Sequence, residues 1–306
     1  MEDFRRVIVA GGAAIGLFVL IQLGALALVD PFVGAGLQPV EDPSDPTNPL
    51  LYVGAILLAT LGMLAAFRFG FDWVVRGAVI FASGFLSWFV LSVVVPPIAV
   101  LGGINVIALV AALAVVVGLL AHPEWYVIDA AGILIGAGAA GLFGITFGLL
   151  PALVLLVVLA VYDAISVYGT EHMLSLAEGA MAGKLPVVLV VPMTRSYSFI
   201  HDEGEDRDAL FIGLGDAVIP TILVASAAFF APVDPIDVPG IALTLPALTA
   251  MIGTLLGLLA LLALVLKGRA HAGLPLLNGG AIAGYLVGAL ASGMTLVQAL
   301  GIEGYL

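Results

Sequence analysis

The sequence predicts an all-α, polytopic membrane protein of about nine transmembrane helices. Its mean hydropathy is +1.24, and 62% of its residues are hydrophobic against 10% charged, so a water-soluble fold would carry an apolar surface. Apolar runs of roughly 18 to 25 residues, the length that crosses a bilayer as a helix, recur between short polar stretches. We place the spans at about 8–29, 50–67, 73–95, 98–121, 126–144, 150–169, 209–231, 242–266 and 273–292. The whole chain, 1–306, is then one integral membrane domain.

Prolines, glycines and polar residues separate these spans. A loop rich in Pro, Asp and Asn over about 30–49 follows span one, and a short turn near 68–72 joins spans two and three. Pro96-Pro97 divides spans three and four. Pro151 and Pro246 are predicted to lie in the first turns of spans six and eight. Span five is rich in glycine, which lets neighbouring helices approach closely.

The basic residues predict the orientation. With nine spans, every lysine and arginine falls on the same side of the membrane: Arg5, Arg6, Arg68, Arg76, Lys184, Arg195, Arg207, Lys267 and Arg269. Because positive residues collect in cytoplasmic loops, the N-terminus is predicted to be cytoplasmic and the C-terminus external. We expect the protein in the cell membrane.

The longest polar interval, about 170–208, is predicted to be a cytoplasmic loop between spans six and seven. Within it, residues 186–192 read PVVLVVP, which is too short to span. Its β-branched run, bounded by prolines, predicts a short strand. The acidic run over 202–208 is predicted to be solvated loop.

Composition also limits the chemistry. The net charge of −12 comes without a basic stripe, so we expect no nucleic-acid partner. The chain has no cysteine, and its four histidines form no HExxH pattern, which argues against thiolate chemistry and a zinc protease. We expect no metal and no organic cofactor.

Two carboxylic acids are predicted to lie inside apolar spans. Asp163 lies in span six. An ionisable group inside the membrane costs free energy unless it has a partner or lines a water-filled cavity, so Asp163 is a candidate functional residue. It lies about seven residues before the predicted cytoplasmic end of its span. Asp216 lies about seven residues after the predicted cytoplasmic start of the next span. Both acids are therefore predicted to lie ~10 Å below the cytoplasmic surface of the membrane. Asp129 is a rival acid near the entrance of span five, where an interfacial role is predicted.

Two carboxylates at one depth can share a proton, and such a pair provides the acid and the base that add water to a peptide carbonyl. Spacing and depth alone leave three functions open. These are an aspartyl protease, a proton- or cation-coupled transporter or channel, and a structural role in packing. A transporter usually carries an internal repeat, and no convincing repeat is found.

Short motifs around both acids resemble those of the presenilin and signal peptide peptidase family, which are intramembrane aspartyl proteases of the GxGD type. Tyr162-Asp163 matches the YD motif, and Gly213-Leu214-Gly215-Asp216 matches the GxGD motif, in the expected order and on the expected spans. The stretch 123–129 (PEWYVID) also resembles this family, and the short loops resemble an archaeal presenilin homologue. The resemblance covers about 50–292 and implies that Asp163 and Asp216 are catalytic, with support from Tyr162, Gly213, Leu214 and Gly215.

The family's third motif, Pro-Ala-Leu at the start of the last span, is altered. Literal matches begin at Pro151 and Pro246, both on the wrong spans. The positional equivalent is Ala272-Gly273-Leu274-Pro275, which lacks the first proline. The resemblance assigns substrate binding to Gly273, Leu274 and Pro275.

The sequence therefore predicts an intramembrane aspartyl protease that uses Asp163, Asp216 and one water. Its expected partners are transmembrane-helix substrates, including signal peptides, and the lipid bilayer; a homo-oligomer stays open. A helical substrate must unwind before cleavage. We expect residues 186–192, or those near 197–199, to pair with the unwound substrate as an added strand.

Overall fold

A computed structural model describes residues 2–38, 42–169, 185–194, 197–200, 209–265 and 271–305. Its long helices are α1 (Glu2–Gly34), α2 (Thr47–Arg68), α3 (Asp72–Val94), α4 (Val106–Ala121), α5 (Trp125–Thr146), α6 (Leu149–Tyr168), α7 (Leu214–Phe230), α8 (Leu245–Val265) and α9 (Leu274–Ala291). A short α10 (Leu296–Ala299) and a 3-10 turn (Glu303–Tyr305) follow. The strands are β1 (Val100–Leu101), β2 (Ile104–Asn105), β3 (Val188–Pro192) and β4 (Ala209–Gly213).

The predicted helical membrane fold is confirmed. By length and composition, 7 helices of the described part could each cross a membrane, and each of them overlaps a predicted span. The two other long helices, α4 with 16 residues and α7 with 17, also coincide with predicted spans but are shorter than predicted. Pro151 and Pro246 lie in the first turns of α6 and α8, as predicted.

The segment before α4 differs from the prediction, which placed a helix from residue 98. Residues 100–105 form the β1–β2 hairpin instead. Its turn residues Gly102 and Gly103 have φ of 59° and 84°, a left-handed conformation that glycine adopts without strain. Asn105 then begins α4, because its side chain accepts a hydrogen bond from Ala108 N–H and donates one to the Val95 carbonyl.

Helix α5 lies at the centre of the bundle. Of an apolar stretch of 18 residues in α5, 67% are buried, against 0% of the equivalent stretch in α2. It contacts α1, α3, α7 and β3. Its glycines lie at these contacts: a Cβ on Gly141 would be 3.1 Å from the Ala25 carbonyl oxygen of α1, and one on Gly144 would be 3.1 Å from the Ser226 backbone nitrogen of α7. The glycine-rich sequence thus serves close helix packing.

Helices α8 and α9 also cross with their backbones in contact. A Cβ on Gly253 of α8 would overlap the carbonyl oxygen of Gly280 on α9, and a Cβ on Gly280 would overlap the carbonyl oxygen of Gly253. One turn further along each helix, Gly257 and Gly284 meet the partner helix in the same way. Only glycine fits at such a crossing.

Strands β3 and β4 form an antiparallel pair that runs from Val188 opposite Gly213 to Pro192 opposite Ala209. The strand predicted within 186–192 is therefore confirmed. The prediction that span seven begins as a helix at 209 was wrong, because Ala209–Gly213 pairs with β3 and α7 begins only at Leu214. Most of the predicted 170–208 loop, including its acidic run, lies outside the described residues.

Candidate active site

Asp163 lies on the face of α6 that points into the bundle. Its side chain is 5% exposed, and the residues one and two turns away on the same face, Leu156, Leu159 and Ser166, are also buried. The opposite face of α6 exposes Val157, Val161 and Ile165 by more than half. An intramembrane acid that faces the protein interior is the arrangement expected of a functional carboxylate.

The carboxylate of Asp163 lies at the N-terminus of α9. Its Oδ2 accepts a hydrogen bond from the N–H of Leu274, the first residue of α9, at 3.0 Å. The hydroxyl oxygen of Tyr168, in the last turn of α6, accepts one from Ala272 N–H at 3.1 Å. The chain entering α9 is therefore fixed to the end of α6 that carries Asp163.

Asp216 is the third residue of α7 and is partly buried. This position corrects the depth argument, since Asp216 lies in the first turn of its helix and not about seven residues along it. Two glycines let backbone approach its carboxylate: a Cβ on Gly213 would be 3.4 Å from Oδ2, and one on Gly273 would be 3.1 Å from it. Gly215 is exposed, and a Cβ there would meet only Ile219, at 3.9 Å.

The segment Gly273-Leu274 brings the two acids together. Gly273 packs on the Asp216 carboxylate, while Leu274 donates to the Asp163 carboxylate. The two carboxylates are also close enough for their charges to interact. Pro275 lies in the first turn of α9, where its fixed φ suits a helix start. The altered third motif therefore lies where the two acids meet.

Comparison with known proteins identifies the family. The chain matches the family model for signal-peptide peptidase, presenilin aspartyl protease over residues 15–294. The chain belongs to this family. Two similar solved structures are of a presenilin family intramembrane aspartate protease. The one in space group C222 is 36% identical, has a TM-score of 0.67, and is matched over 95% of this chain and 100% of that one.

The other, in space group P2, is 37% identical, has a TM-score of 0.63, and is matched over 90% of this chain and 96% of that one. No curated protein matches the chain. As a presenilin-family protein it is an integral multi-pass membrane protein, and its family consists of intramembrane aspartate proteases that act on transmembrane substrates. No observation on this chain favours a transporter.

Two further residues predicted to support the acids are Tyr162, next to Asp163, and Leu214, two residues before Asp216. Tyr162 is partly buried, and its carbonyl accepts a hydrogen bond from Ser166 at 2.6 Å. The side chain of Leu214 packs on α5, where a Cβ on Gly136 would be 3.2 Å from its Cδ1. Leu214 N–H also donates to the Val187 carbonyl at 2.8 Å, which continues the β3–β4 ladder into the first residue of α7.

Three polar residues near the site were not assigned to it from the sequence. Asp129, predicted to be interfacial, is 6% exposed, and its Oδ1 accepts a hydrogen bond from Val190 N–H of β3 at 2.8 Å. Asn278 of α9 donates to the Leu156 carbonyl of α6 at 2.8 Å, one turn beyond Leu274. A lone amide in an apolar helix was the one available signal for Asn278.

Glu124, just before α5, is the third of these residues. It accepts hydrogen bonds from Ser198 Oγ at 2.5 Å and from Phe199 N–H at 3.0 Å. Burial raises the pKa of Glu124, but these hydrogen bonds outweigh burial and hold its pKa below the ordinary value. The carboxylate form therefore attaches the segment after β3 to the start of α5.

Proposed function

We propose that this chain is a GxGD-type aspartic endopeptidase that cleaves peptide bonds within transmembrane helices. Asp163 and Asp216 form the catalytic dyad and activate one water. The observation that supports this most strongly is the contact of Gly273-Leu274 with both carboxylates, which lie on different helices. A single short segment thus sets the distance between the two acids.

The hydrogen bonds support a division of roles between the acids. Asp163 accepts the Leu274 N–H at the N-terminus of α9, and this donor favours its ionised form. A second charge next to it is unfavourable, so Asp216 holds the shared proton. Asp163 is then the general base and Asp216 the general acid.

The reaction follows from these roles. Asp163 removes a proton from the water as the water oxygen attacks the scissile carbonyl carbon, and Asp216 gives its proton to the carbonyl oxygen. When the tetrahedral intermediate collapses, Asp163 donates the proton it took from the water to the leaving amine, and the C–N bond breaks. Asp216 recovers its proton from a hydroxyl group of the intermediate, so both acids return to their starting states. The proposed reaction uses no metal and no organic cofactor.

An unwound substrate exposes backbone N–H and C=O groups that need hydrogen-bond partners. The edge of strand β4 that faces away from β3 can supply them. Because Leu214 N–H donates to Val187, the residues that pair within the sheet are Leu189, Val191, Leu210 and Ile212. The backbone groups of Ala209, Phe211 and Gly213 then point away from β3. The opposite edge of the sheet, at Val190, is bonded to Asp129. We therefore assign substrate pairing to β4, whereas the sequence analysis predicted it for residues 186–192 or for those near 197–199.

Proline tests this assignment. Phe211→Pro removes an N–H that points away from β3, so the β3–β4 ladder stays intact while one bond to the substrate is lost. We expect kcat/KM to fall about tenfold with little loss of thermal stability. Leu210→Pro is the matched variant, because it breaks the ladder itself and lowers stability. Equal cleavage by wild type and Phe211→Pro contradicts pairing at β4.

The orientation is also a proposal. Arg68 and Arg76 lie at the same end of the bundle, at the end of α2 and the start of α3. We assign this end to the cytoplasm of the cell, which leaves the N-terminus cytoplasmic and the C-terminus external.

The proposed function is tested with the purified chain in liposomes that contain a single-span substrate. We expect two products whose new termini, mapped by mass spectrometry, lie inside the apolar span. The same vesicles report proton flux through an entrapped pH dye. Flux without products would favour the transporter, and products cut only outside the span would contradict intramembrane cleavage.

A further inference from the structure

We propose that Asp129 of α5 is a positioning residue of the protease. It holds β3 in place. Because β3 is bonded to β4 and to the start of α7, Asp129 also fixes the position of the substrate edge of β4 and of Asp216 relative to Asp163. This inference rests on the proposed function. It assigns a role to a buried acid that the dyad chemistry does not use. Three contacts carry it, two of them on one face of α5 and the third between β3 and α7.

The first contact is the hydrogen bond from Val190 N–H to Asp129 Oδ1, at 2.8 Å. Val190 is fully buried and Asp129 nearly so. In the antiparallel pair, the N–H of Val190 points away from β4 and toward α5. A buried backbone donor needs a partner, and the side chain of an α-helix can supply one where its backbone cannot. Asp129 therefore completes the ladder on the inner edge of the sheet.

The second contact is the packing of β3 and α7 against two glycines that lie beside Asp129 on α5. Gly132 and Gly136 follow it at the spacing that keeps residues on one helix face. A Cβ on Gly132 would be 3.1 Å from Leu189 Cδ2 of β3, and one on Gly136 would be 3.2 Å from Leu214 Cδ1. One face of α5 therefore receives both β3 and the leucine of the GxGD motif.

The third contact connects this face to the catalytic acid. The Val187 carbonyl, at the base of β3, accepts the Leu214 N–H at 2.8 Å, and Asp216 lies two residues further on. The antiparallel pairing also ties β3 to the whole of β4. A shift of β3 away from α5 would thus move the substrate edge and Asp216 together. Asp163 would stay in place, because it is held by α9.

The test compares Asp129→Leu with Asp129→Asn. The leucine removes the acceptor and keeps the branching at Cγ, whereas the asparagine keeps an oxygen that can accept from Val190. We expect Asp129→Leu to lower kcat/KM about tenfold, mainly through KM, and to add cleavage positions, because the substrate is held less precisely. Asp129→Asn should stay within about threefold of wild type, because the hydrogen bond matters and the charge does not.

Hydrogen exchange followed by mass spectrometry gives a readout that does not depend on activity. We expect faster exchange in the peptide containing β3 for Asp129→Leu and wild-type exchange for Asp129→Asn. Thr146→Val is the matched control, since Thr146 is a fully buried polar residue at the other end of α5. Among the described residues, its hydroxyl bonds only within its own helix, to the Leu142 carbonyl. This variant should leave exchange in β3 and the cleavage positions unchanged.

Two results would overturn the inference. Wild-type exchange in β3 together with wild-type KM and cleavage positions in Asp129→Leu would show that the bond positions nothing. An Asp129→Asn variant as impaired as Asp129→Leu would show that the acid acts through its charge. Failure of the proposed function is distinct, because wild type itself would then cleave no transmembrane substrate, whereas the exchange comparison would still report whether Asp129 holds β3.

Discussion

Asp163→Asn and Asp216→Asn will each reduce cleavage of a transmembrane substrate by about 10³-fold or more, because each removes one proton-transfer partner of the dyad. In Asp163→Asn, the new amide has nearly the same shape as the carboxylate and can still accept the Leu274 N–H, so the contact between α6 and α9 survives. The loss is therefore expected in kcat and not in folding. The measurement is single-turnover cleavage by the purified variants in detergent micelles.

The control for these variants is another acid-to-amide change in the same bundle. Asp72→Asn removes an exposed carboxyl group in the first turn of α3, outside the site, and should retain the full activity. Thermal unfolding should give similar midpoints for all three variants and wild type. Retention of more than about a tenth of the activity by either dyad variant would remove that residue from the catalytic role.

Gly280→Ala will destabilise the protein by about 2 kcal/mol or more and will also impair cleavage. The added Cβ would overlap the Gly253 carbonyl oxygen, and both sides of this contact are backbone, so neither can move without separating α8 from α9. Separation of the helices displaces the N-terminus of α9, which holds Asp163. The measurement is the midpoint of thermal unfolding in detergent, together with kcat/KM.

The neighbouring glycine supplies the matched control. Gly279 is exposed, and a Cβ there would meet no atom within 4 Å. Gly279→Ala should leave stability unchanged or raise it by up to about 1 kcal/mol, because alanine favours the helix. Equal unfolding midpoints for the two alanine variants would contradict the view that backbone contact at Gly280 holds α8 and α9 together.

The sequence predicted the helices well because a bilayer fixes both their length and their composition. It failed at 98–105 and at 209–213, and the two errors share a cause. Both segments are short and apolar, and hydropathy alone does not separate a short apolar strand from the end of a helix. The strand at 209–213 also depends on its pairing with β3, a contact that no local pattern contains.

The acids were identified from their depth and their motifs, but the groups that hold them were not. The bond between Leu274 and Asp163 joins residues 111 positions apart, and the bond between Val190 and Asp129 joins residues 61 positions apart. Such contacts follow from the packing of whole helices, so neither spacing nor periodicity predicts them. The altered third motif illustrates this. The reason for a glycine at Gly273 is its close packing on the Asp216 carboxylate, which only the folded structure shows.

The apolar surface that faces the lipids is built differently at α4 than at the longer helices. A helix of 16 residues rises about 24 Å, less than the ~30 Å hydrocarbon core of a bilayer. The hairpin before it exposes Ile98, Val100 and Leu101 by more than half, and their side chains extend the apolar surface beyond the helix. Lipids beside α4 therefore contact a helix together with a hairpin, whereas lipids beside α2 contact a single helix of 22 residues.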